Sequence, residues 1–151
     1  MTKTKKMKKI IETVFIDAIA EMFFVDVIVA EDEELSIDCP IICRLSILLP
    51  HWGELILVFS EDIARELIEN TLGGNVSEQK SKMVDAVGEF ANVFAGKLIN
   101  EISPNMLFEL GLPKIIDKSS FDITNSSYYA QYFQTPCKKF AVVYCNFKNE
   151  P

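Results

Sequence analysis

The chain carries one histidine and one tryptophan among its 151 residues, with only six glycines, six prolines and four cysteines. A single histidine rules out a His-rich metal centre, and His51, in the turn PHWG, has no second His or Cys nearby to complete a ligand set. Cys39, Cys43, Cys137 and Cys145 include no C-x-x-C pair. Cys39 and Cys43, four apart in an expected strand, would stand roughly 13 Å apart, beyond the reach of a shared metal or a disulfide. Reduced, mostly buried thiols in a cytoplasmic protein are the simplest account.

Positive charge is scarce beyond the start of the chain. Lys3, Lys5, Lys6, Lys8 and Lys9 gather there, and with these set aside ten basic residues face 22 acidic ones. Nucleic acid is excluded as a partner of that acidic body. A long apolar run is missing too. The stretch IIETVFIDAIAEMFFV could pass for the core of a signal peptide, but Glu12, Asp17, Glu21 and Asp26 interrupt it at helical spacing and no small-residue cleavage site follows. The expectation is a soluble amphipathic helix with no membrane partner. Residues 1–9 are expected to be a basic, frayed segment, because lysines oppose the positive end of a helix dipole. The ordered helix should then begin between Lys8 and Glu12.

What is present is enough apolar material, 49% of the residues, for one domain over residues 1–151 with a substantial core. After the first helix, FVDVIVAE turns β-branched and reads as a strand ending in the acidic turn EDEE. Residues 39 to 49 alternate as a second strand, PHWG makes a turn, and ELILVFS is a third, antiparallel to the second. Ser60 can cap the next helix, DIARELIENTL, which stops at Gly73 and Gly74. A linker over Asn75 to Glu78 leads into the longest helix, and Pro104 ends it. A loop, SPNMLFELG, precedes three strand-like stretches, LPKIIDKSSFDI, SSYYAQYFQ and KKFAVVYCNFK, with TPCK as the turn between the last two. The order is helix, three strands, helix, helix, three strands. DAIAE (Asp17 to Glu21) matches DAVGE (Asp85 to Glu89), which suggests an internal duplication; carried on, the match sets Phe24 against Asn92.

The run from Ser81 to Ser103 organises the rest. At about 100° per residue, Val84, Val87, Ala91, Phe94, Leu98 and Ile102 form an apolar stripe, with Lys82, Asp85, Glu89, Asn92, Gly96 and Ser103 opposite. Glu89 and Asn92 are neighbours at i, i+3. Gly96 costs a helix interior roughly 1 kcal/mol relative to Ala, a cost that makes sense where a bulky group or another backbone must approach. A Glu and an Asn on an exposed face would by themselves read as ordinary solvation.

Their spacing resembles the CheC/CheX/FliY family of response-regulator phosphatases, the CheX branch in particular. The family helix has an acid, three residues, Glu, two residues and Asn, then an apolar pair, a small residue and Gly, with a Pro further on. Here these are Asp85, Glu89 and Asn92 in DAVGEFAN, then VFAG to Gly96, then Pro113 in LGLPKII. Gly53 before a strand and the helix end ELIENTLGG also fall in place, so residues 8 to 147 are covered. Lys97 and Leu98 depart from the family's Asn and small residue.

The resemblance implies an α+β, CheC-like fold of two pseudo-symmetric helix-plus-three-strand halves, an antiparallel sheet packed by helices, with one active helix. It implies dephosphorylation of the aspartyl phosphate of a CheY-like receiver domain in chemotaxis or related two-component signalling. Glu89 and Asn92 would be catalytic, and Asp85 and Gly96 partner-binding. No metal or cofactor of the chain's own is implied, the Mg²⁺ coming with the receiver. CheX-like relatives are dimers, which implies a homodimer. The alternative is a non-catalytic, regulator-binding adaptor or flagellar-switch-like module.

Overall fold

The computed structural model describes residues 2–30, 40–72, 80–120, 128–137 and 139–148. The acidic turn EDEE, Cys39, the double-glycine helix stop and the linker after it, and the FDI end of one expected strand lie outside the described residues. The elements are α1 (Lys3–Phe23), β1 (Ile28–Val29), β2 (Ile41–Leu49), β3 (Gly53–Phe59), α2 (Glu61–Leu72), α3 (Lys80–Ile102), β4 (Glu109–Leu110), β5 (Lys114–Ile116), a 3-10 turn (Lys118–Ser120), β6 (Tyr129–Gln134) and β7 (Phe140–Phe147).

The strands form one antiparallel seven-stranded sheet in the order β1-β6-β7-β3-β2-β4, with β5 also on the β2 edge. Two hairpins, β2–β3 and β6–β7, meet at the centre through β3 and β7. The leading strand of each half crosses over: β1 pairs with β6, and β4 and β5 pair with β2. That reciprocal exchange makes the two halves pseudo-symmetric, as the family fold implied.

One face of the sheet carries the helices. Period-2 alternation sends Ile41, Cys43, Leu45 and Ile47 of β2 to the same core as Leu55, Leu57 and Phe59 of β3 and Val143 and Cys145 of β7. Phe15 of α1 is its hub, stacked on Phe133 at 4.1 Å and edge-on to Phe90 at 5.4 Å and Phe94 at 5.6 Å of α3. The other face holds a smaller cluster of Ile42, Ile56, Val58, Val142 and Tyr144. At its rim the Tyr128 hydroxyl donates to Glu54 Oε1 at 2.7 Å, with Arg44 Nε 3.4 Å from the same oxygen.

Three expectations need correction. α1 is helical from Lys3, not from Lys8–Glu12: Thr2 caps it by accepting from the Lys5 N–H at 3.2 Å, and Met7 is buried against the core. A cap and a buried methionine outweigh the unfavourable dipole, which is worth well under 1 kcal/mol per exposed lysine. The strand expected in FVDVIVAE shrinks to two residues, because β1 meets β6 only at the sheet's margin. The loop SPNMLFELG contains β4, and the stretch after it keeps only Lys114–Ile116 as strand before the 3-10 turn. The Ser60 cap holds, accepting from the Ile63 N–H at 3.2 Å.

Candidate functional site

α3 packs against α1, α2 and the sheet, and its inward residues Met83, Val87, Phe90, Ala91, Phe94, Ala95, Leu98 and Ile99 are all buried. Phe90 and Phe94 stack with ring centroids 5.8 Å apart and planes within 3°. Asn92 therefore stands between two buried aromatic anchors and cannot be displaced without moving the core. Asp85, Glu89 and Asn92 all point to solvent. Among the described residues, no side-chain hydrogen bond or ion pair engages any of the three.

An unpaired carboxylate and an unpaired carboxamide, three residues apart on a clamped helix, can do limited but definite chemistry. The carboxylate accepts only; the carboxamide both donates and accepts, so it can hold a water by one lone pair or one proton. Neither is placed as a nucleophile beside a base. Among the described residues no group of three or more His, Cys, Asp or Glu could hold a metal ion, and no helix is long and apolar enough to cross a membrane.

Gly96 is half-buried, and a Cβ built on it would lie 3.4 Å from Phe108 Cζ of the same chain. The bulky group that this glycine admits is thus intramolecular. One turn before Asn92, Gly88 stands in the same relation to Pro113, at 3.8 Å. Neither Gly88 nor the strand within residues 106–110 stands out from composition and periodicity alone. Two glycines bracketing Asn92 at i−4 and i+4 were the available signal.

Lys97, which departs from the family pattern, reaches across to α1 and pairs with Glu21 Oε2 at 2.8 Å. Leu98 is fully buried. In the first half, the position matched to Asn92 is Phe24, the C-cap of α1 with φ 58°. α1 ends where α3 continues for eleven more residues, so Asp17 and Glu21 have no carboxamide partner on their helix.

A seven-stranded antiparallel sheet with crossed edge strands and helices packed on one face is an α+β fold of the CheC-like class. Residues 42–137, well over half of the chain, match the family described as "Chemotaxis phosphatase CheX". The chain belongs to that family. Solved structures agree in fold: CheX from Vibrio vulnificus is 15% identical with TM-score 0.77, covering 95% of this chain and 99% of that one. CheX from Desulfovibrio desulfuricans is 19% identical with TM-score 0.73, covering 95% and 99%. The CheX–CheY–BeF₃–Mg²⁺ complex from Borrelia burgdorferi is similar at 14% identity and TM-score 0.68, covering 93% and 97%. Among curated proteins, none matches the sequence significantly.

Proposed function

We propose that this protein dephosphorylates the aspartyl phosphate of a CheY-like response regulator. The observation that carries the reading is the Glu89–Asn92 pair, exposed and unpaired on a helix clamped by buried Phe90 and Phe94, in a chain of the CheX family. The Borrelia relative was solved with CheY, BeF₃ and Mg²⁺, which supports a receiver as the partner.

Hydrolysis of an acyl phosphate asks for a water in line with the leaving carboxylate, and little covalent help from the protein. An amide is too weak a base to take the proton. Asn92 instead holds the water at the attack angle, by accepting through its carbonyl oxygen or donating through its NH₂. Glu89 accepts from a lysine of the receiver and sets the docking register by a charge-assisted hydrogen bond. Asp85 lies at the edge of the same contact, and Gly96 shapes the helix surface beside Asn92. The receiver supplies the Mg²⁺, and this chain supplies position.

Phosphate release from a phosphorylated receiver tests the proposal. Asn92→Ala should fall to the receiver's own rate while still binding the beryllofluoride–Mg²⁺ form; turnover at the wild-type rate in that variant would reject the assignment. A second reading, a non-catalytic regulator-binding module, is favoured by the likeness to the FliM middle domain of Helicobacter pylori, 11% identical with TM-score 0.64. In that case wild-type protein binds the activated receiver and releases no phosphate. A cytoplasmic homodimer belongs to the first proposal, and sedimentation at two concentrations checks the dimer.

A further inference from the structure

The chain leaves α3 through a turn at Ser103–Asn105, where Asn105 has φ 66°, and doubles back along the helix. Phe108 lies against Gly96 and Pro113 against Gly88, so residues 108–113 run antiparallel to α3 and pass Asn92. Their far side is hydrogen-bonded to β2. Leu110 pairs with Ile47 and Glu109 with Leu49, and the Gly111 N–H donates to the Ser46 carbonyl at 2.8 Å. The segment is therefore a fixed wall. Between β4 and β5 the edge strand is interrupted at residues 111–113, and such an interruption re-aims side chains.

What this wall and the two residues leading into it show to water is mainly apolar, with Glu109 the charged exception. Leu107 is 89% exposed, Leu112 82%, and Met106 and Phe108 about half, with Val93 of α3 beside Asn92 also exposed. Isolated exposed leucines are ordinary, but a run of them on a hydrogen-bonded segment marks an interaction surface.

The site itself says what must cover it. Asn92 stands on an outward-facing helix, and the acyl phosphate of the proposed substrate is carried by a folded domain, so that domain has to be laid over the helix. A specific protein complex covers about 800 Å² on each side, a disc roughly 16 Å in radius. Gly88 and Gly96 are each about 6 Å along the helix axis from Asn92, which puts Phe108 and the Leu112–Pro113 corner inside that disc.

Resting on the function proposed above, we infer that Leu107, Phe108 and Leu112, held beside α3 at Gly96 and Gly88, form the apolar docking edge that seats a phosphorylated receiver domain over Asn92. The polar pair then acts on the phosphoryl group, and the wall sets which receiver is accepted and how tightly.

The test is the double substitution Leu107→Ser/Leu112→Ser, at two side chains exposed enough that the fold is kept, with circular dichroism as the control. Probes are the CheY-like receivers of the source organism, phosphorylated for turnover and bound to beryllofluoride and Mg²⁺ for affinity. The expected result is a rise of at least tenfold in KM and Kd with kcat within twofold of wild type. Asn92→Ala should show the opposite split. KM and Kd within twofold of wild type overturn the inference. So does a loss of self-association in sedimentation with receiver affinity unchanged, which would give the strip to a second copy of the chain. Should wild-type protein bind the activated receiver without releasing phosphate, the catalytic reading falls and the Kd comparison alone decides this one. Should it neither bind nor turn over, both fall.

Discussion

Asn92 is held in place by what its neighbours are forbidden to do. Phe90, Ala91 and Phe94 are fully buried, so the helix cannot rotate to hide or re-aim the carboxamide. The two glycines near the ends of this logic behave differently. At Gly53 a Cβ would come within 2.6 Å of the Asn146 carbonyl oxygen, across the β3–β7 pair, and backbone cannot yield cheaply. Gly53→Ala should cost about 1–3 kcal/mol, read as a lower midpoint in urea. At Gly96 the neighbour is a half-exposed ring that can give way, so Gly96→Ala should gain up to about 1 kcal/mol of helix propensity, raising Tm by about 2–4 °C. Cysteine chemistry divides along similar lines: burial pushes the Cys43 thiol up to about 11, against a backbone hydrogen bond from Lys114 that lowers it, whereas Cys137 is exposed. Of Cys43, Cys137 and Cys145, only Cys137 should be labelled by a maleimide in the native protein at neutral pH, with mass mapping as the check.

Elements were legible in proportion to how much their own sequence decided them. α3 was readable to within a residue at each end, since its stripe, its length and Pro104 all agree. β2, β3, β6 and β7 followed from alternation and β-branched content. The exposure of Glu89 and Asn92 was legible from their place opposite the apolar stripe, whereas a chemical role for them is suggested only by their spacing and family likeness. β1, β4 and β5 were misjudged because short edge strands take their form from a partner distant in sequence, and FVDVIVAE holds the propensity for more strand than the β6 margin offers. The start of α1 departs from the charge-based expectation because the Thr2 cap fixes it. Between helices, the Lys97–Glu21 pair joins α3 to α1 with both side chains substantially in water. A double-mutant cycle on it should return less than about 1 kcal/mol; the packing of Phe15 against Phe90 and Phe94 is the stronger tie. Phe15→Ala should cost about 3–5 kcal/mol, measured by chemical denaturation.

At the scale of the whole molecule, every outer strand is borrowed. β1 belongs to the first half and completes the second hairpin; β4 and β5 belong to the second half and complete the first. α3 inherits this arrangement, lying on a sheet that neither half can build alone. A chain cut after residue 120 lacks β6 and β7 and leaves β1 without its neighbour and β3 with one bare side. Such a chain should show no cooperative thermal transition by circular dichroism.

The crossed edges also set a timetable. During synthesis β1 emerges early and has nowhere to settle until β6 arrives about a hundred residues later, at the pace of the ribosome of roughly 5–20 residues per second. For those seconds the nascent protein holds α1, with Phe15 and Ile19, without the floor on which it will rest. Chaperone occupancy on stalled ribosomes should accordingly stay high until β7 has cleared the exit tunnel, and then fall in a single step.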